Sequence, residues 1–284
     1  MMRRARRGSA MVALFSAATV ASLGGCAHSP QDDSARSVQP ATAVGFDPTH
    51  ISRVFLPEGE FTVGAPLIVL VPGGGWTSAD PAGLTGLAMW LAQRGAAVVT
   101  ITYRTASDGA YFPATAQDIA CGLADAVAST HSADLDTGEV VVIGHSAGAH
   151  LSAVVALTPE AFAAGCSAPP IAPDRFVGLA GPYDVTQLGG LTSDIFGPDN
   201  QDPAQWVAAN PVSLATERPQ LPVLLIHGAD DTVVPAVFTV QFATALGAGG
   251  HPVVTRYPEG VDHDSVYTAE VAGPLISDWL GLDD

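Results

Sequence analysis

Three short stretches of this chain carry residue types that could together activate a hydroxyl. They are Gly144-His-Ser146-Ala-Gly148, His227-Gly-Ala-Asp-Asp231-Thr-Val-Val-Pro235 and Glu259-Gly-Val-Asp-His263. A serine hydroxyl is a poor nucleophile at neutral pH and needs a base to take its proton. His263 would accept that proton through one ring nitrogen. Asp231 would hold the other N–H, fix the tautomer and stabilise the imidazolium that forms. The tetrahedral oxyanion produced by such an attack needs fixed donors. Ala147 N–H, just after the serine, and the N–H groups of Gly73 to Gly75 in Pro72-Gly-Gly-Gly-Trp76 could supply them.

Each of these groups must be placed by an element, and the sequence supplies the elements. Val140 to Ile143 are four consecutive β-branched residues, which suits a central parallel strand buried on both faces. Ala147 to Leu157 follows as a small-residue helix, leaving Ser146 on the tight turn between them. Leu67 to Val71 is continuously apolar and ends at the glycine run, and Ala96 to Thr102, Arg175 to Ala180, Leu221 to Ile226 and Pro252 to Tyr257 read as further strands. Ser52 to Pro57 alternates like an edge strand, and a second is expected around Glu60 to Val63. Helices are expected over Leu84 to Arg94, Pro113 to Ser129, Pro235 to Leu246 and Ala269 to Leu280, the second with Asp118 and Asp125 facing outward. Val185 to Thr216 is rich in Gly, Asp, Asn and Pro and reads as a lid or pocket wall. Strand and helix alternate, so the fold class is α/β, a mainly parallel central sheet with helices on both faces and a small lid segment. Ser146, Asp231 and His263 each lie just beyond a predicted strand, and in such a sheet those exits share one edge.

The remaining candidates have plainer readings. Asp184 is the main rival acid, because some hydrolases take it from after the preceding strand, while Asp230 falls one short of the Asp-x-x-Val-Pro spacing. Asp262 and Asp264 flank His263 and are expected in solvent. His145, His150 and His227 sit in or beside buried elements and read as structural. Trp76 is expected to line the substrate pocket, whereas Tyr103, Phe196 and Trp206 belong more to the core.

Taken together, Gly-His-Ser-Ala-Gly, Pro-Gly-Gly-Gly-Trp, His-Gly-x-x-Asp-x-x-Val-Pro and the late Gly-x-Asp-His resemble the α/β-hydrolase fold, specifically the small esterases that carry His-Gly-Gly-Gly-Trp. The resemblance runs from about Ser52 to the C-terminus. It implies Ser146 as nucleophile, Asp231 as acid, His263 as base, and Gly74, Gly75 and Ala147 as oxyanion donors. Its first motif residue departs from the pattern, because Pro72 stands where the family has His. Proline offers neither a backbone N–H nor an imidazole to brace the loop, although the donors downstream are intact.

The expected chemistry is hydrolysis of short acyl esters of small molecules through an acyl-enzyme, with no metal or organic cofactor. Two alternatives stand beside it: amide, formamide or peptide hydrolysis on the same fold, and a catalytically inactive lipoprotein that uses the fold for binding. No Lys and eleven Arg stand against 28 acids, for a net charge of −17. That balance argues against nucleic acid as a partner.

Residues 1–25 read as a signal peptide: Arg3, Arg4, Arg6 and Arg7 precede an apolar run, and the segment ends in Leu23-Gly-Gly-Cys26. That ending resembles the lipobox of bacterial lipoproteins and implies lipid attachment at Cys26. Residues 26–48 would then be a lipidated, disordered tether to the cell membrane, and residues 49–284 an extracytoplasmic α/β-hydrolase domain. Cys121 and Cys166 would be exported to an oxidising compartment, where a disulfide is the default, and neither has metal-site spacing.

Overall fold

The apolar runs become the sheet. Leu67–Val71 (β3), Ala97–Ile101 (β4) and Val140–His145 (β5) are buried at every position, as strands covered on both faces must be. With Ser37–Val38 (β1), Ile51–Phe55 (β2), Arg175–Leu179 (β6), Val223–Ile226 (β7) and Val253–Arg256 (β8) they form an eight-stranded sheet of order β1-β2-β4-β3-β5-β6-β7-β8. The β1–β2 and β2–β4 pairs are antiparallel, and every other pair is parallel. This computed structural model describes residues 37–38, 50–59, 61–198 and 202–282. They fall within one compact unit, Ala35–Asp284. The expected signal peptide, Cys26 and all of the expected tether except β1 lie outside the described residues.

Alternate residues of each strand feed two cores. Leu67, Val69 and Val71 pack with Ala114–Ser132 (α2), Ala147–Leu157 (α3) and Val237–Gly249 (α6) through Ile119, Leu123, Leu151, Phe242 and Leu246. Ile68 and Leu70 face the other way, onto Thr85–Gln93 (α1) and Ala269–Leu280 (α7), through Leu87, Leu91 and Ile276. The lid segment holds two short helices, Thr192–Phe196 (α4) and Pro203–Ala208 (α5), started by residues such as Asp202, whose carboxylate caps Ala204 N–H. Phe196 and Trp206 stack on each other with ring centroids 4.6 Å apart, and Phe196 also meets Phe112 edge-on, which ties the lid to the core on the α2–α3 side of the sheet. Among the described residues no helix is long and apolar enough to cross a membrane.

Three expectations need correction. Phe61 to Val63 form no strand, because the chain there turns, with Gly64 at φ 82°. Ser37–Val38, inside the stretch expected to be a tether, adds an edge strand on β2. Asp118 and Asp125 do not face solvent; they are 3 % and 2 % exposed. Arg104 binds Asp118 through Nε (2.8 Å) and Nη2 (2.7 Å), and His50 and Ser167 contact Asp125 at 3.2 and 2.9 Å. Burial of these carboxylates is tolerated because each is hydrogen-bonded and charge-matched. Cys121, between them on α2, is bonded to Cys166, with Cα atoms 4.9 Å apart.

Candidate active site

The turn between β5 and α3 admits no side chain where it holds glycine. A Cβ on Gly144 would come within 2.4 Å of Gly148 O, and one on Gly148 within 2.3 Å of Pro72 O. This close approach of helix to strand forces Ser146 to φ 51°, ψ −122°. Non-glycine residues occupy such a conformation only when their surroundings impose it. Its N–H is anchored by Leu179 O at 2.8 Å, from the neighbouring strand β6.

His263 lies in the loop after β8 and meets this turn. Ser146 Oγ is 3.0 Å from His263 Nε2, and His263 Nδ1 is 2.7 Å from Asp231 Oδ2. A carboxylate can only accept, so Nδ1 carries the proton and Nε2 is free to receive the serine's. Asp231 lies beyond β7, and its other oxygen, Oδ1, accepts the N–H groups of Val233 and Val234, both at 2.8 Å. Burial by itself would raise the Asp231 carboxyl, but the bonds from His263, Val234 and Val233 outweigh it and hold the group below the usual carboxylate range. The arrangement can therefore deprotonate a hydroxyl and shelter the resulting imidazolium beside a carboxylate that stays ionised.

The rival acids are occupied elsewhere. Asp184 accepts from Thr186 and Gln187, where it starts a short helical turn. Asp262 binds Ser265, and Asp230 and Asp264 are exposed. His145 donates through Nε2 to His263 O at 3.0 Å and so fixes the loop that bears the imidazole. Burial, with His263 close by, pushes His145 down to about 3, so it stays neutral. His227 is fully buried, its Nδ1 at 2.7 Å from Thr239 Oγ1 and its Nε2 at 2.8 Å from Val234 O and 3.2 Å from Asp231 Oδ2.

Opposite Ser146 lies the glycine run. Gly74 has φ 132° and Gly75 φ 59°, and their N–H groups donate to no backbone carbonyl among the described residues. Ala147 N–H opens α3 and by helix geometry has no partner within the helix. A Cβ on Gly73 would come within 2.9 Å of Ser146 Cβ, so the run lies against the nucleophile turn. A cleft of about 220 Å³ opens beside Gly74, lined also by Gly73, Ser78, His145 and Tyr267. Trp76, expected at the pocket, is 3 % exposed and donates its indole N–H to His150, so its first contacts are inside the protein. Tyr103 is likewise buried, with its hydroxyl on Pro72 O at 3.1 Å. The part that His150 plays was not foreseen, although its place one helical turn after Ser146 was a usable signal.

Comparison with known proteins places the chain in a family. The BD-FAE family model matches residues 53–246. Esterase LipC of Mycobacterium tuberculosis is 29 % identical over 219 residues, which are 72 % of this chain and 54 % of that protein. This chain thus spans about half the length of that relative. Among solved structures, a truncated carbohydrate esterase from gut microbiota superposes with TM-score 0.68 at 19 % identity, covering 81 % of this chain and 90 % of that one. Esterase Est2 of Thermogutta terrifontis, solved with butyrate bound, gives TM-score 0.63 at 18 % identity, covering 81 % and 87 %. The fold is that of the α/β-hydrolases, and the chain belongs to the BD-FAE family.

Proposed function

We propose that this protein is a serine carboxylic ester hydrolase that cleaves short acyl esters through an acyl-enzyme. The observation that carries the reading is the continuous run from Ser146 Oγ through both nitrogens of His263 to Asp231, with bonds of 3.0 and 2.7 Å. Ser146 attacks the ester carbonyl as His263 Nε2 takes its proton. The oxyanion settles on the N–H groups of Gly74, Gly75 and Ala147, and collapse expels the alcohol, protonated by His263. Water then repeats the sequence on the acyl-enzyme and returns Ser146. The butyrate bound in the related Est2 supports a short acyl group.

Ser146→Ala should lower turnover of p-nitrophenyl acetate about a millionfold while leaving the circular dichroism spectrum unchanged. Full activity in that variant rejects the mechanism. A matched amide, run against the ester, decides between ester and amide hydrolysis, and a fluorophosphonate probe decides between an enzyme and an inactive binding protein, since an unactivated serine stays unlabelled. The protein is further proposed to be exported and anchored by lipid on Cys26. The Cys121–Cys166 bond supports an oxidising compartment. Incorporation of labelled palmitate in wild type but not in Cys26→Ala tests the anchor.

A further inference from the structure

The loop that would hold the oxyanion is bent into the left-handed region at three consecutive residues. Gly74, Gly75 and Trp76 have φ of 132°, 59° and 60°. Glycine is at ease there, but for tryptophan the crowding of Cβ against its own carbonyl costs about 1 kcal/mol or more. Pro72, at the head of the loop, has no N–H with which to be held. The neighbours must therefore fix the loop. Tyr103 Oη donates to Pro72 O at 3.1 Å, Ala106 N–H to Trp76 O at 2.9 Å, and Trp76 Nε1–H to His150 Nδ1 at 3.1 Å. The first two ties lead to the segment after β4. The third leads to α3, the helix that begins at Ser146.

His150 lies one turn into that helix, its N–H on Ser146 O at 3.0 Å. Its ring is fully buried and meets the Trp76 ring edge-on at 5.6 Å. Nε2–H donates to Ala209 O, 2.7 Å away, at the end of α5. Both nitrogens are therefore used, Nδ1 as acceptor and Nε2 as donor, which only the neutral ring in one tautomer can do. Burial pushes this imidazole down to about 4, so that form persists at neutral pH.

The geometry points to His150 as a positioning residue that sets the oxyanion loop against the turn carrying Ser146, and registers the lid segment to both. It does from α3 what Pro72 cannot do from within the loop. The effect on catalysis rests on the function proposed above; the effect on loop position does not.

Trp76→Phe keeps an aromatic ring but removes the indole N–H together with the five-membered ring that bears it, and His150→Phe deletes the acceptor. In each variant, amide hydrogen exchange at Thr77, Ser78 and Ala106, which donate to Gly74 O and Trp76 O, should rise about tenfold or more, while β5 amides stay as protected as in wild type. The kcat on p-nitrophenyl acetate should fall about ten- to a hundredfold at nearly constant KM. The double variant should lose no more than His150→Phe, because both changes delete the same tie. Unchanged exchange in the loop of Trp76→Phe overturns the proposal, and so does a raised KM at wild-type kcat. Should His150→Phe fail to fold, Trp76→Phe decides alone. A wild-type protein that neither turns over ester nor takes a fluorophosphonate refutes the enzymatic reading, and the exchange measurement still decides whether the tie positions the loop.

Discussion

Two carboxylate–imidazole clusters sit on the same edge of the sheet and do opposite things with similar parts. Around Asp231, one carboxylate serves a histidine that ends on a hydroxyl, and its remaining contacts come from two backbone N–H groups and from His227 Nε2 at 3.2 Å. Around Asp118 and Asp125, two carboxylates enclose His50 and are matched by the Arg104 guanidinium. Asp118 and Asp125 raise the His50 imidazole, and although burial opposes it, His50 and Arg104 bring the Asp118 carboxyl down to about 2. The second cluster thus ends on itself. The first leaves one nitrogen facing a proton donor, and that open end separates a relay from an ion cluster that only holds elements together.

The comparison can be broken from either side. Asp231→Asn keeps an acceptor for Val233 and Val234 but no longer fixes the His263 tautomer, so kcat/KM for p-nitrophenyl acetate should fall about 10⁴-fold with little loss of stability. A loss confined to KM would show that Asp231 is not the orienting acid. Next in size is the disulfide, whose Cys121 stands between Asp118 and Asp125 on α2. Closing a 45-residue separation is worth about 4 kcal/mol in the chain-entropy model, so the Cys121→Ser/Cys166→Ser variant should unfold at much lower urea while its folded fraction still labels with fluorophosphonate. Asp118→Asn removes the charge that Arg104 and His50 share, but Arg104 is 60 % exposed and stays solvated and His50 keeps Asp125, so the variant should cost about 1 kcal/mol in urea unfolding with kcat unchanged. A drop in kcat matching that of Asp231→Asn would mean that the two clusters act as one.

The smallest effect is in pH. His145, His150 and His227 are held neutral by burial, with folded values below the ordinary 6.5. The unfolded chain therefore binds more protons below about 6.5, and their contribution to stability is lost as pH falls toward about 4. His50 is shifted the other way: its contribution is present below about 6.5 and lost as pH rises through its raised folded value. A melting-temperature profile should fall on the acid side in wild type and in His50→Gln alike, while the alkaline-side decline attributable to His50 should vanish in His50→Gln. An unchanged alkaline limb would remove His50 from the ion cluster.

The difference between the clusters also marks what could be read in the sequence. Ser146, Asp231 and His263 were legible because each follows a strand whose apolar run is unmistakable, and parallel strands bring such exits to one edge whatever their separation in the chain. Asp118 and Asp125 were not. Two acids on one face of a helix look like a solvated face, and the partners that reverse this reading, His50 and Arg104, come from strand ends with no local signal pointing at α2. The same holds for His150. Its burial was expected, but its bond to Trp76 depends on a left-handed residue that no spacing rule foretells.

The Pro72 carbonyl has a wider consequence. It accepts the Tyr103 hydroxyl and lies 2.3 Å from where a Gly148 methyl would fall. Nucleophile turn and oxyanion loop are therefore locked at a single spacing that no added atom can adjust. Selection for new substrates has little freedom at this centre and must act on the periphery, in the short helices between residues 185 and 216, where the backbone can be lengthened or recast without disturbing the chemistry.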